Sequence, residues 1–462
     1  MTETICAIST PPGVGGIAVA RVSGSQAFPI VQSIWKGIDL LKAKSHTAHL
    51  GIITDADGAP LDQALVTLFR APNSFTGDDV VEISVHGSKY IQRQLIATLI
   101  SAGARLAEPG EFTRRAFISG KMDLAQAEAV ADMIASSSKA AHRIAMNQMR
   151  GGFSQRLKAL REQLLQLASL LELELDFSEE DVEFASRQKL MQSATEVHSE
   201  VSRLLRSFKS GSAIKDGIPV AIVGETNAGK SSLLNAILGD EKAIVSDIHG
   251  TTRDIVEDTI EIGEYLFRFM DTAGLRETTD KIENIGIDRA YAALSRARII
   301  ILVIDTTLPF NTRPLPHIAE ALAADTSTSL IIAANKSDLT PVITDTDITA
   351  ALSSHAITAE TPIIHISAKN STGIDALTAS LQNIVATDTA DDVMVTNLRH
   401  CEALAHAEQA SARVIDALAA NLSGDLIAQD LRETIFHLGT ITGTITSQDI
   451  LTNIFSRFCI GK

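Results

Sequence analysis

The chain has 462 residues, 45% of them hydrophobic, with 40 lysines and arginines against 56 acidic side chains and a net charge of −16. That length predicts two or three domains, and the acidic balance does not suit an autonomous nucleic-acid binder, so action on RNA calls for a local basic patch or a basic partner. No stretch is apolar enough to span a membrane, Met1-Thr2-Glu3-Thr4 leads to no signal-peptide core, and Cys6, Cys401 and Cys459 lie far apart without metal-ligand spacing, so the expectation is a cytoplasmic protein.

Residues 1–120 alternate short β-type runs with Pro/Gly turns, as in Gly16-Ile17-Ala18-Val19-Ala20-Arg21-Val22 and Asp79-Val80-Val81-Glu82-Ile83-Ser84-Val85. Gly13-Val14-Gly15-Gly16 leads into a strand-like run rather than a helix, which argues against a dinucleotide loop. An α+β domain is expected. From about Lys121 to Lys209 there is no proline, and Gly151 and Gly152 are the only breakers. Leu157, Leu160, Leu164, Leu167 and Leu171 recur there at helical spacing. The tail from Leu398 is similar, with Leu404, Ala407, Val414 and Leu418 before a glycine- and threonine-rich bend. The simplest packing joins these flanking helical pieces into one bundle, with the segment between them as an insertion.

That insertion opens with Gly224-Glu225-Thr226-Asn227-Ala228-Gly229-Lys230-Ser231, after the apolar run Pro219–Val223 and before a helical run starting near Ser231. Backbone N–H groups at such a helix start cradle phosphates, a lysine reaches the β- and γ-phosphates, and a serine hydroxyl ligates Mg²⁺. Asn227, Ala228, Gly229, Lys230, Ser231 and Ser232 are therefore assigned to nucleotide binding. Gly250-Thr251-Thr252-Arg253-Asp254 offers Thr252 to complete the Mg²⁺ shell. Asp271-Thr272-Ala273-Gly274 follows Leu266–Met270; Asp271 is read as holding Mg²⁺ through water and the Gly274 N–H as a γ-phosphate donor. Leu275 stands where many such enzymes carry a water-orienting glutamine, so another group must position water, and residues 276–283 offer several carboxylates. No arginine finger is assignable. A bound cation can supply the missing charge, with Asn227 as an oxygen ligand.

Asn335-Lys336-Ser337-Asp338 follows the apolar run Leu330–Ala334, so it sits where ligands bind open α/β sheets. Asp338 can accept two hydrogen bonds from guanine, a donor pair adenine lacks, which favours GTP over ATP. Asn335 braces the pocket, and Ser367-Ala368-Lys369, after Ile363–Ile366, fits the loop that closes over the base.

The order of these pieces resembles the MnmE (TrmE) family of tRNA-modification GTPases. The match is carried by Pro11-Pro12-Gly13, Pro72-Asn73-Ser74-Phe75-Thr76-Gly77, Pro109-Gly110-Glu111-Phe112-Thr113, Lys121–Ala129, Asn227–Ser232 and Phe458-Cys459-Ile460-Gly461-Lys462. It runs from one end of the chain to the other. The resemblance implies a multidomain α/β protein: an N-terminal α+β tetrahydrofolate-binding and dimerisation domain (1–119), a discontinuous helical bundle (120–215 and 384–462), and an inserted Ras-like P-loop GTPase domain with a mostly parallel sheet (216–383). It further implies K⁺-dependent hydrolysis and a homodimer. The partner is MnmG, joined in a heterotetramer, which carries FAD. Together they add an aminomethyl or carboxymethylaminomethyl group at C5 of the wobble uridine of certain tRNAs, using a tetrahydrofolate one-carbon donor.

By motif position, Arg21, Glu82, Lys121 and Lys462 surround the folate. Cations suit its glutamate tail, and a carboxylate suits the pterin N–H edge; an ordinary strand-pair ion contact between Arg21 and Glu82 remains the alternative. K⁺ is assigned to Asn227, the backbone oxygens of Ser246 and Ile248, and Thr251. Glu283 matches the water-orienting carboxylate and, with Lys230 and Thr252, forms the catalytic set. Cys459 falls near the one-carbon site, where a thiol needs a lowered pKa to react. Glu225 and Thr226 replace a basic residue and proline usual in the family, and His249 is also unusual. The rival readings are a ribosome-assembly GTPase switch, which predicts a Lys/Arg-rich appendage not found here, and a folate-dependent one-carbon transferase with a vestigial GTPase.

Overall fold

The computed structural model describes residues 3–176, 187–239, 244–245, 258–270, 293–358, 360–388, 393–456, 458 and 460–461. They form two compact units, one of Met1–Ala131, Gln148–Val197 and Gln409–Lys462, the other of Asp132–Asn147 and His198–Glu408.

Among the described residues, the first unit holds seven strands: β1 (Ile5–Ile8), β2 (Gly15–Ser23), β3 (Trp35–Lys36), β4 (Thr47–Thr54), β5 (Pro60–Phe69), β6 (Val80–Gly87) and β7 (Arg105–Leu106). They line up as β3-β4-β5-β6-β2-β1-β7, antiparallel throughout except for the β1–β7 pair. The two expected β runs are β2 and β6, and they pair directly. Period-2 alternation sends Ala18, Ala20 and Val22 of β2, Val66 and Leu68 of β5, and Val81, Ile83 and Val85 of β6 to one face. That face packs on Phe28 and Val31 of helix Ala27–Ser33 and on Leu95 and Leu99 of helix Lys89–Ser101. Each buried Val, Leu, Ile or Phe among them contributes about 1.5–3 kcal/mol relative to exposure. The opposite face leaves Leu50, Ile52 and Leu65 in water, with Leu50 directly opposite Leu65.

A buried carboxylate ties this unit together. Glu111, at the start of helix Glu111–Ile118, accepts from Arg105 at 2.8 and 3.0 Å, from Arg115 at 3.0 Å and from the Glu108 N–H at 2.9 Å. Burial works to raise its carboxyl, but these donors outweigh it and hold the pKa at about 2. Because the folded value is depressed, the stabilisation is present above the ordinary value near 4.5 and is lost as pH falls toward about 2. Glu111→Gln leaves two arginines without their shared carboxylate and is expected to cost about 3 kcal/mol, read as an earlier denaturant midpoint for this unit.

The leucine stripe is a core. Leu157, Leu160, Leu164, Leu167 and Leu171, on helix Gly152–Asp176, are all buried, and this helix packs along helix Gly424–Thr442. Segments before and after the phosphate loop thus meet, pinned at the rim by Arg432 on Glu172 at 2.6 Å. Among the described residues, the stretch read as broken only at Gly151–Gly152 is also broken where helix Leu124–Ala135 ends and helix Lys139–Met149 begins, across Ser136–Ser138. The Ser138 hydroxyl accepts from the Ala141 N–H at 3.2 Å, the serine capping of a helix start that a search for proline and glycine overlooks.

In the second unit the described strands are β8 (Ile218–Gly224), β9 (Ile244–Val245), β10 (Asp258–Ile262), β11 (Tyr265–Met270), β12 (Ile299–Asp305), β13 (Ser329–Asn335) and β14 (Ile363–His365), in the order β14-β13-β12-β8-β11-β10-β9. β11, β8, β12, β13 and β14 run parallel, and β10 is antiparallel to both of its neighbours, β11 and β9. Every residue of β12 is buried, as a strand covered on both faces requires. Ile299, Ile301 and Val303 enter one core with Val220, Leu233 and Leu377; Ile300, Leu302 and Ile304 enter another with Ile318 and Leu352.

Candidate functional site

The parallel register sets the site. Gly224 ends β8 opposite Val303, and Asp305 ends β12 opposite Asn335, which ends β13. The loop after β8 and the Asn335–Asp338 turn therefore share the carboxyl edge of the sheet, where such folds take their ligands. Helix Lys230–Leu238 begins behind the loop, with Gly229 as its N-cap at φ 100°. Glycine offers no side-chain acceptor there, so the positive end of the helix dipole faces the loop and can receive an anion.

Asn335 locks the loop to the base-reading segments. Its Nδ2 donates to the Ala228 carbonyl at 2.7 Å, and its Oδ1 accepts from the Ala368 N–H at 3.0 Å. One buried carboxamide thus joins its own turn to the phosphate loop, 107 residues before it, and to the Ser367–Lys369 loop, 33 residues after it. Its own carbonyl is held by the Thr306 hydroxyl at 2.9 Å, and the Ser337 N–H donates to the Ile366 carbonyl at 3.0 Å.

The Lys230 ammonium curls over the loop, donating to the carbonyls of Gly224 at 2.8 Å and Glu225 at 2.7 Å. Burial pushes its pKa down, while the nearby Glu225 charge works the other way. Such an ammonium can exchange these carbonyls for phosphate oxygens. Asp338 is exposed at the rim, and its carboxyl is held below the ordinary value by a hydrogen bond from Ser367 and by the charges of Lys369 and Lys336. An ionised acceptor with open access is what a guanine edge needs.

Lys336, at φ 65°, donates to Asp305 Oδ2 at 2.5 Å. Burial opposes the charge on Asp305, but Lys336 and the hydroxyl and N–H of Thr307 outweigh it and lower its pKa. Sequence reasoning passed over Asp305, although an aspartate closing the apolar run Ile299–Ile304 beside the Asn335 strand was a usable signal. Asp305→Ala frees Lys336 and is expected to weaken GTP binding about tenfold with a smaller change in turnover, measured by nucleotide titration beside steady-state rates.

Asn227 is exposed at φ 63°, a backbone that asparagine tolerates. The remaining phosphate- and cation-side candidates, Ser246, Ile248, Thr251, Thr252, Asp271, Thr272, Ala273, Gly274 and Glu283, lie outside the described residues. β11, the strand that leads to Asp271, lies parallel to β8.

In the first unit, Arg21 and Glu82 are register partners on β2 and β6. Both Nε and Nη2 of Arg21 donate to Glu82 Oε1, at 3.0 and 2.7 Å, so the strand-pair ion contact is present. The Arg21 guanidinium lies 5.3 Å from the Phe75 ring and 5.7 Å from that of Phe112. Lys121 is exposed.

The chain's end reaches the same unit. Helix Gln448–Ser456 puts Leu451 and Phe455 against Leu124 and Ala127, and the Gly461 carbonyl accepts from the Ser9 hydroxyl at 3.1 Å. Cys459 and Lys462 lie outside the described residues.

The family signature described as the TrmE N-terminus matches residues 4–121, and that of the MnmE helical domain matches residues 124–459. The tRNA modification GTPase MnmE of Parabacteroides distasonis is 52% identical over the whole of both chains. That of Porphyromonas gingivalis is 50% identical over all of this chain and 98% of its own. That of Cytophaga hutchinsonii is 47% identical, again over all of this chain and 98% of its own. Among solved structures, the G domain of the T. maritima FeoB iron transporter matches 37% of this chain and 98% of its own at 23% identity, with a TM-score of 0.25 that carries no weight for the fold. No described helix is long and apolar enough to cross a membrane. With half of its residues shared along its full length with curated relatives, the chain belongs to the MnmE family of tRNA modification GTPases, enzymes that use GTP and Mg²⁺.

Proposed function

We propose that this GTPase is a K⁺-stimulated homodimer that works with MnmG in a heterotetramer to add a (carboxymethyl)aminomethyl group at C5 of the wobble uridine of certain tRNAs. The one-carbon unit comes from a tetrahydrofolate derivative, FAD resides on the partner, and tRNA is held with the partner's help. The setting is the cytoplasm. The domain plan is the one drawn from the sequence, with a GTPase domain inserted at 216–383 between the halves of a helical domain.

The observation that carries this reading is the convergence of family-specific segments from both ends of the chain on one unit. Ser9 holds Gly461, a Cβ on Gly110 would meet Phe455 and Phe458, and the Ser119 hydroxyl donates to the Thr76 carbonyl at 2.7 Å. The Arg21–Glu82 pair lies in that unit as well. A guanidinium and a carboxylate side by side, flanked by Phe75 and Phe112, suit a ligand with an aromatic ring, N–H donors and carboxylates. The exposed apolar face of Leu50, Ile52 and Leu65 supports dimerisation through the same unit.

In the GTPase unit, Lys230 draws charge from the β- and γ-phosphates, and Ser231 and Thr252 complete the Mg²⁺ shell. Glu283 orients water in place of a glutamine. Asn227, with Ser246, Ile248 and Thr251, would hold K⁺, which would supply the charge of an arginine finger.

Two measurements test the reading. Hydrolysis in K⁺ should exceed that in Na⁺ at equal ionic strength; equal rates would remove the cation role. Nucleoside mass spectrometry of tRNA from cells lacking this gene should show wobble uridines without the aminomethyl-type group, and unchanged uridines would overturn the modification assignment.

A further inference from the structure

Glu225 puts a carboxylate in the phosphate loop, beside a triphosphate site. In the structure that carboxylate does not point into the loop. It accepts a hydrogen bond from Nδ2 of Asn311, in the segment between β12 and helix Leu315–Ala324. The orientation of the Asn311 carboxamide is fixed independently, because its Oδ1 accepts from the Arg313 N–H at 2.9 Å. With the oxygen committed to that Asx turn, the NH₂ group must face Glu225. Both side chains line a shallow recess beneath the loop, with Val303, Asp305, Pro309 and Phe310.

Lys230 is the natural competitor for this carboxylate. Its ammonium already donates to the Glu225 main-chain carbonyl, so ammonium and carboxylate belong to the same turn, and the Glu225 charge acts on Lys230 even from the tethered position. A half-buried ammonium facing a freely rotating carboxylate a few ångströms away would pair with it, since the attraction grows as solvent is excluded. Paired in that way, Lys230 would be withdrawn from the β- and γ-phosphates, and the carboxylate would meet them with like charge.

We propose that Asn311 is a positioning residue that tethers Glu225 away from Lys230, keeping the lysine available to the nucleotide's terminal phosphates. This concerns GTP binding alone and stands whether or not the folate and K⁺ assignments hold.

The test is a double-mutant cycle on the full chain, read by titration with fluorescent methylanthraniloyl analogues of GTP and GDP. Asn311→Ala is expected to raise the GTP-analogue Kd about five- to tenfold, and the GDP-analogue Kd less, because the released carboxylate opposes the terminal phosphate most. Adding Glu225→Gln to Asn311→Ala should restore the GTP-analogue Kd to within about twofold of the parent, since no charge remains to be tethered. Glu225→Gln alone should bind the GTP analogue at least as tightly as the parent. A double variant as weak as Asn311→Ala would make Asn311 merely structural and overturn the proposal, as would weaker binding by Glu225→Gln alone or an unchanged Kd in Asn311→Ala.

Discussion

Gly229→Ala is expected to weaken GTP binding by at least about a hundredfold, the larger of two losses traceable to a single methyl group. Gly229 stands at φ 100°, where an L-residue costs roughly 1–2 kcal/mol. A Cβ built there falls 2.1 Å from Nδ2 of Asn335. An exposed amide would swing aside, but Asn335 is 3% exposed and bound at both ends, to the Ala228 carbonyl and the Ala368 N–H. Displacing it leaves buried partners unsatisfied at about 1–3 kcal/mol each. Strain and unpaired groups together come to several kcal/mol, which corresponds to two or more decades in affinity. Nucleotide titration is the direct measurement, with circular dichroism as the check that the fold persists. Binding within tenfold of the parent would mean that the Asn335 bridge does not set the loop.

That bridge also marks how far the site could be read in advance. The loop, the Asn335–Asp338 turn and the Ser367–Lys369 loop were each placed on the right strand end, because apolar runs flanked by glycine or polar turns report buried parallel strands directly. Which side chain joins them was not legible. Asn335 was expected to brace the pocket, yet its two partners come from residues 107 positions before it and 33 after it, and only the sheet register sets that pairing. Asp305 and Asn311 were missed for the same reason: each acts on a residue from another strand end, Lys336 and Glu225 respectively. The leucine stripe at 157–171 was legible because helical period and burial coincide. The break at Ser136–Ser138 was not, because serine ends and starts helices through local hydrogen bonds that hydropathy does not register.

The arrangement also explains how a chain of net charge −16 can present a phosphate site. The attraction is local and largely fixed in the backbone, through the N-terminus of helix Lys230–Leu238 and the amide-rich loop. Lys230 and Lys336 add charge where the strands end, and two acidic groups beside them are occupied: Asp305 by Lys336 and Thr307, Glu225 by Asn311. Bulk charge therefore says little about this edge of the sheet, while the pairing of each carboxylate says a great deal.

Gly461→Ala is expected to separate the two activities, leaving GTP hydrolysis by the purified chain within about twofold of the parent, since the sites lie in different units, while abolishing most tRNA modification in cells. Gly461 is buried at φ 98°, and a Cβ there would stand 2.3 Å from the Ile8 carbonyl oxygen and 3.1 Å from Ser9 Cα. Both obstacles are main-chain atoms at or just past the end of β1, where Ile8 pairs with Ala20 of β2, so moving either disturbs the sheet. The tail must leave instead, giving up the Ser9–Gly461 hydrogen bond. Ser9→Ala deletes only that bond and should cost about 0.5–1.5 kcal/mol, a far milder effect. Helix Gln448–Ser456 keeps its own contacts through Leu451 and Phe455, so the lesion is confined to the last residues. Carboxypeptidase should trim Gly461→Ala faster than the parent, and nucleoside mass spectrometry should find its wobble uridines largely unmodified. If the variant is trimmed faster yet modifies tRNA normally, the docked end does not contribute to tRNA modification.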